Sequence, residues 1–460
     1  MAILKVSTKY GVVAGKPGVD KSISVFKGIP YAKAPMGEGR LRPPMPCESW
    51  EGEKECFSWG DSPVQDLGRY TTEGVAFSED CLKLNIWTPA EKSGEKLPVM
   101  LFFYGGGYNR GDSCYRTYDG EAIAKRGCIF VNINYRVGVM GFLALDGLSA
   151  RCPVGVSGNY GLLDQIESLK WLHENIEAFG GDPDNITIFG QSAGAGSCRL
   201  LCASPMAKGL FRRAIVMSGT AVRDNDLTLS EYQQICDKLL DYLGWTLDDV
   251  LKRSAMAVQY EFKRAADEYL PTIGRNPVFF FRPVVDGVVL PDKETSKGLF
   301  DPEIDVMLGS VYGDGMRAFA KAKDSADPYR FVRANAYAPQ VIQARRANAK
   351  GVRPIYTYFI ERVRPGGNSP MPHGAELPYF FGTLDRFDDP WTALDRRASE
   401  TGIDYWTNFA KTGDPNGAGL PVWPAYTAEN PVSMNFTNED IFIRELAETE
   451  LEKKILSQME

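Results

Sequence analysis

Residues 186–201 read ITIFGQSAGAGSCRLL. A short apolar run enters Gly190-Gln191-Ser192-Ala193-Gly194, and a small-residue segment that reads as a helix follows. Strand, GxSxG and helix in that order describe a nucleophile elbow. The sharp turn exposes the serine hydroxyl, and the flanking glycines keep neighbouring side chains away from it. GxSxG alone also occurs in ordinary glycine-rich turns, so the strand before it and the helix after it carry the reading. That helix begins behind Ser192 and brings the positive end of its dipole to the same spot.

Outward from the elbow, short apolar runs alternate with helical patterns. This predicts an α/β fold of the α/β-hydrolase kind, with a mostly parallel sheet flanked by helices. Strands are expected at 99–104, 129–134, 185–189, 214–217, 306–310 and 355–359. Leu162, Ile166, Leu169, Leu172 and Ile176 form one apolar stripe, which predicts a helix over 162–179 stopped by the turn cluster GGDPDN. A second helix is expected over 396–410, closed by KTGDPNGAG. Residues 227–282 read as helical and then aromatic, a cap over the end of the sheet. No linker separates independent units, so residues 1–460 read as one domain with a cap-like insertion over about 221–300.

The composition narrows the function. Of the 460 residues 44% are hydrophobic, enough for a large core, and the formal charge is −7 with Lys and Arg scattered. That argues against nucleic acid and anionic membrane surfaces as partners. No apolar run is long enough to predict a transmembrane helix. The opening MAILKVSTKYGVVAGKPG lacks the basic-then-apolar pattern of a secretory leader, so a cytoplasmic protein is expected. Nine cysteines, an odd number without a CxxC pair, are expected to be reduced thiols. Cys198 and Cys202, four apart, read as packed helix residues, since only two histidines exist to complete a zinc site. No metal or cofactor is expected, and the oligomeric state cannot be read.

A second chemical signal is FFY-Gly105-Gly106-Gly107-Tyr108, directly after an apolar strand. Three glycines let the backbone curl and aim N–H groups at one point, where the negative oxygen of a tetrahedral intermediate can be held. A phosphate-binding P-loop is excluded because no GK[ST] follows. For the base, only His173 and His373 exist. In α/β-hydrolases the order is serine, acid, histidine, and only His373 follows Ser192. It lies in the loop PGGNSPMPHGAEL, whereas His173 reads as a boundary residue of the amphipathic helix. For the acid, Asp314 has the best context, in a Gly313-Asp314-Gly315 turn just after the strand-like VMLGS; Asp305 and Asp324 are next by position.

With these residues in place the chain resembles the type-B carboxylesterase family, which includes cholinesterases and bacterial p-nitrobenzyl esterases. The resemblance spans most of the chain: GIPYAKAP from Gly28, SEDCLKLNIWTP from Ser78, YGGGY, NYRVGVMGFLAL from Asn134, NYGLLDQ, the elbow region and WTNFAKTGDPNG. It implies Ser192 as nucleophile, His373 as base and Asp314 as acid, with Gly106, Gly107 and Ala193 as oxyanion donors. It also implies an ion pair between Arg40 and Glu79. The implied activity is hydrolysis of small or aromatic carboxylic esters through an acyl-enzyme. The rival readings are an amidase or lactonase using the same residues, and a non-catalytic interaction protein.

Four departures from the family stand out. The acid is Asp where the family usually has Glu. Asp314 and His373 are 59 positions apart, a short interval that implies a reduced cap and a more open gorge. Thr71 stands where cholinesterases carry the choline-facing Trp, which argues against choline esters. Cys81 matches a family disulfide cysteine, but its usual partner is absent and only Cys56 is near.

Overall fold

The structure, a computed structural model, describes residues 2–66, 72, 74–219, 227–297, 300–318, 321, 325, 327–367, 370–446 and 449–459. An 11-stranded sheet runs through the molecule. In chain order its strands are β1 (Lys16–Pro17), β2 (Ser24–Pro30), β3 (Lys83–Thr88), β4 (Leu97–Phe103), β5 (Ile129–Ile133), β6 (Gly181–Gln191), β7 (Arg213–Met217), β8 (Asp305–Val311), β9 (Ile355–Ile360), β10 (Val432–Phe436) and β11 (Ile441–Glu445). Their spatial order is β11-β10-β9-β8-β7-β6-β4-β5-β3-β2-β1. Neighbours from β5 through β10 are parallel, and the outer pairs are antiparallel. Every residue of β5, β7 and β9 is buried, as parallel strands covered on both faces require.

The chain passes from β4 outward to β5 and then returns across to β6 on the other side of β4. Strand order therefore reverses between β4 and β6. Such a switch point opens a crevice at the carboxyl ends of the strands, and the GGG loop and the Ser192 elbow leave those two strand ends.

Helix α1 (Tyr160–Asn175) continues as a 3₁₀ turn over Ile176–Phe179 and stops at Gly180, whose φ of 87° is left-handed. Its predicted apolar stripe is buried at every position. Helix α2 (Ala193–Leu201) lies behind the elbow and is buried throughout. The predicted cap contains α3 (Leu229–Leu243), α4 (Leu247–Lys252) and α5 (Ala255–Tyr269), begun by side-chain caps from Thr228, Thr246 and Ser254. Helix α6 (Pro328–Ala349) and helix α7 (Ala393–Thr412) complete the large elements.

The six expected strands are present, with ends shifted. The largest shift is at β6, which begins at Gly181 rather than 185. Gly181 pairs with Leu97, and the register then slips before Ile186, so the turn-like GDPDN is carried as an irregularity within the strand. Helix α6 has no counterpart in the sequence reading because Pro339 interrupts its pattern. One hydrophobic core includes residues from Val6 to Ile441. Arg40 pairs with Glu79 through two hydrogen bonds of 2.7 and 2.6 Å, as the resemblance implies. It also donates to the carbonyls of Leu251 and Arg253, which ties the end of α4 to the body. Cys56 and Cys81 are buried and unpaired, and Cys198 and Cys202 pack in the core. Thr71 and Asp324 lie outside the described residues. No described helix is long and apolar enough to cross a membrane.

Candidate active site

The elbow has the strain its sequence predicts. Ser192 sits at φ 57° and ψ −119°, a backbone region that non-glycine residues rarely enter and that clusters at functional sites. The flanking glycine is required for a steric reason. A β-carbon on Gly194 would stand 1.9 Å from the Phe103 carbonyl oxygen, at the end of β4. The parallel register pairs Gly190 with Phe103, so the elbow and the GGG loop emerge side by side. Gly106 holds φ 111°, which allows the loop to curl back against Ser192. Ala193 opens α2, where a helix N–H has no intrahelical acceptor.

Two further loops complete the constellation. Asp314 lies in a 3₁₀ turn, Tyr312–Ala318, that leaves the end of β8. His373 follows β9 in the loop before Leu377–Phe380. The Ser192 hydroxyl is 2.9 Å from His373 Nε2, while His373 Nδ1 is hydrogen-bonded to Asp314 Oδ1. The other carboxylate oxygen of Asp314 accepts from the Val311 N–H at 3.0 Å, which anchors the acid to its strand. A shorter acid thus reaches the imidazole from this backbone. Asp305 is elsewhere, paired with Arg213 at 3.0 Å at the start of β8. His173 bonds the Leu210 carbonyl at 2.9 Å, away from Ser192 and His373. His373 keeps 45% of its side-chain surface, so the constellation is open to solvent.

Two neighbours of His373 were not singled out from sequence. Gln191 places its amide nitrogen 3.3 Å from His373 Nε2, beside the serine. Glu376, three residues after His373, is fully buried; it accepts from the Ser218 hydroxyl at 3.3 Å, and its second oxygen has no hydrogen-bond partner among the described residues. Burial pushes its carboxyl up to about 7, His373 acts in the opposite direction, and Asp314 adds to the rise.

The fold therefore holds the Glu376 proton more tightly than the unfolded chain does. Its contribution to stability is full below pH 4.5 and is lost as pH rises to about 7. At about 1.4 kcal/mol per unit, the loss between pH 5 and pH 8 is on the order of 2–3 kcal/mol. Glu376→Gln is expected to shrink the wild-type stability difference between those pH values by that amount, measured by urea unfolding. An unchanged difference would mean that Glu376 ionises as easily folded as unfolded.

Ser192, Ala193, Gly106, Gly107, Asp314 and His373 all face one cavity of about 660 Å³. Of the run Phe279-Phe280-Phe281, the first lines it. Its φ of 63° turns the ring onto Gly107, 2.2 Å from where a β-carbon there would stand. Phe280, Phe281, Phe380 and Phe381 are core residues. Tyr108, Tyr115, Tyr118 and Phe387 supply the rest of the aromatic wall.

The chain is 32% identical to the para-nitrobenzyl esterase of Bacillus subtilis over 98% of each chain. It is also 32% identical to the fumonisin B1 esterase of Sphingopyxis macrogoltabida, over 91% of this chain and 84% of the relative. The crystal structure of a Geobacillus stearothermophilus carboxylesterase superposes with a TM-score of 0.80 at 31% identity, covering 98% of this chain and 99% of the other. The profile of the carboxylesterase family matches residues 3–336 and 329–453, and the chain belongs to that family.

Proposed function

We propose that Ser192, His373 and Asp314 carry the ester hydrolysis of this enzyme, with the amides of Gly106, Gly107 and Ala193 receiving the oxyanion. The observation behind this reading is the unbroken chain from the Ser192 hydroxyl through both nitrogens of His373 to the Asp314 carboxylate. His373 Nε2 takes the Ser192 proton as Oγ attacks the ester carbonyl. The tetrahedral intermediate collapses, the alcohol leaves with that proton, and an acyl-serine remains. Water then attacks the acyl-serine, His373 accepts its proton, and the acid departs with Ser192 restored. Asp314 holds the proton-bearing Nδ1 and stabilises the imidazolium as it forms. These steps use neither metal nor cofactor.

The substrates are read as small or aromatic esters, because the cavity is compact and partly aromatic. The relatives are named as esterases, which favours esters over amides and lactones. The reading takes residues 1–460 as one domain, supported by the continuous core, with α3–α5 as its cap. A cytoplasmic location is part of the proposal, supported by nine unpaired cysteines. A panel of p-nitrophenyl and phenyl esters, their anilide counterparts and emulsified triolein tests the activity. Short and aryl esters are expected to be turned over fastest. Preference for triolein or for the anilides would overturn the substrate reading.

A further inference from the structure

Four arginines face the cavity that holds Ser192: Arg110, Arg199, Arg282 and Arg364. Among its described lining residues the only carboxylates are Asp112 and Asp314. Both are already engaged. Asp314 is bonded to His373 and the Val311 N–H. Asp112 accepts from Ser62, Thr72 and the Cys114 N–H. Arg364 is neutralised by Asp389 at 2.6 Å. Among the described lining residues arginines thus outnumber carboxylates, in a protein whose overall charge is −7.

Two of these arginines lie on one side of the nucleophile. Gly196 follows Ser192 by one helical turn, with its N–H on the Ser192 carbonyl at 2.9 Å. The Tyr108 hydroxyl lies 2.5 Å from where a β-carbon on Gly196 would stand. Arg199 is the next residue on that face of α2, three positions on, and its surface is only 6% exposed. Half-buried Arg282 also lines the cavity, within electrostatic reach of Tyr108. Burial pushes the Tyr108 phenol up to about 12, with Arg199 and Arg282 acting against the rise, so its O–H remains a donor at neutral pH.

The chemistry of the reaction orients the substrate. The alcohol oxygen must sit beside His373 Nε2 to receive its proton, so the acyl chain points away from His373. We infer that this chain runs along the Phe279 and Gly196 wall, and that Arg199, Arg282 and the Tyr108 hydroxyl form a subsite for a carboxylate at its far end. The favoured substrates are then half-esters of aliphatic dicarboxylic acids. Ser192 and Arg199 are about 10 Å apart along the helix axis, and an arginine side chain leans back toward the helix N-terminus. A diacid of about five or six carbons bridges the remainder. Guanidinium groups suit this ligand, because paired N–H donors match the two carboxylate oxygens.

This inference rests on the ester-hydrolase reading, and its test separates the two. Hydrolysis of monomethyl adipate and methyl hexanoate is compared at pH 7, together with 4-acetoxybenzoate, which carries its charge on the alcohol side, and its neutral methyl ester. The wild-type kcat/KM for the adipate half-ester is expected to exceed that for hexanoate by about tenfold or more, the scale of one charge-assisted hydrogen bond. The advantage shrinks with added salt. Arg282→Gln and Arg199→Gln each lower the ratio by roughly tenfold. As a measurement independent of the variants, free adipate competes with p-nitrophenyl acetate more strongly than hexanoate does. Equal rates for the two methyl esters, a ratio that survives both substitutions, or a gain seen only with 4-acetoxybenzoate would overturn the subsite. If neutral esters are still hydrolysed in those cases, the ester-hydrolase reading stands. If no ester is hydrolysed and a fluorophosphonate leaves Ser192 unlabelled, both readings fall together.

Discussion

Ser192→Ala is expected to lower kcat for p-nitrophenyl acetate by on the order of 10⁶, down to the buffer-catalysed rate. The hydroxyl is the only atom lost, and with it the covalent route through an acyl-enzyme. Folding should be unaffected. Alanine meets the same φ of 57° as serine, and the Gly194 packing that shapes the elbow involves no part of the missing group. A fluorophosphonate probe is expected to add to wild-type protein at Ser192, as read by peptide mass, and not to the variant. A variant that keeps its activity, or a label on another serine, would remove Ser192 from the mechanism.

The second large effect is at Asp314. Asp314→Asn is expected to lower kcat by about 10⁴, the loss seen when a triad carboxylate becomes an amide. The structure explains why the amide cannot rotate out of difficulty. Its oxygen is held by the Val311 N–H, which needs an acceptor at 3.0 Å. The NH₂ group is then turned toward His373 Nδ1. That favours the tautomer with its proton on Nε2, which cannot accept the proton of Ser192. Asp314→Glu is expected to lose roughly tenfold or more, because the turn already brings the shorter acid into contact and an added methylene displaces the imidazole. The double variant Asp314→Asn/His373→Ala should be little worse than His373→Ala alone, since groups acting as one unit do not contribute additively. Losses that multiply would show that Asp314 acts on something other than His373.

Much of this site could be read without coordinates, and the reasons are local. The elbow is encoded by glycines at fixed offsets from Ser192, and one of the reasons is local: a β-carbon on Gly190 would stand 2.4 Å from the Gly194 carbonyl carbon, inside the turn itself. His373 followed from scarcity, with two histidines and one chain order to satisfy. The buried strands and the α1 stripe were legible because burial on both faces, or on one helical face, writes itself as an apolar run or a 3.6-residue period. Helix α6 was hidden because its sequence includes Pro339, and only the surrounding packing shows that the helix continues past it.

Other features are decided by contacts between distant segments, to which sequence periodicity is blind. Asp314 and Asp305 lie at opposite ends of β8, and only the sheet shows that one meets His373 while the other meets Arg213. Phe279, Phe280 and Phe281 are alike in sequence; the backbone conformation at Phe279 sends its ring to the cavity while packing takes the other two into the core. Glu376 reads as an ordinary charged residue near a loop, yet its environment buries it completely beside the triad. Arg199 looks like the polar face of a short helix until the fold buries it. By itself, then, the sequence determined the elbow and the order of strand and helix, because sterics and periodicity act between near neighbours. Which carboxylate meets His373, the walls of the cavity and the charge that lines it were decided only by the tertiary structure, because burial and electrostatic pairing depend on which distant segments the fold brings together.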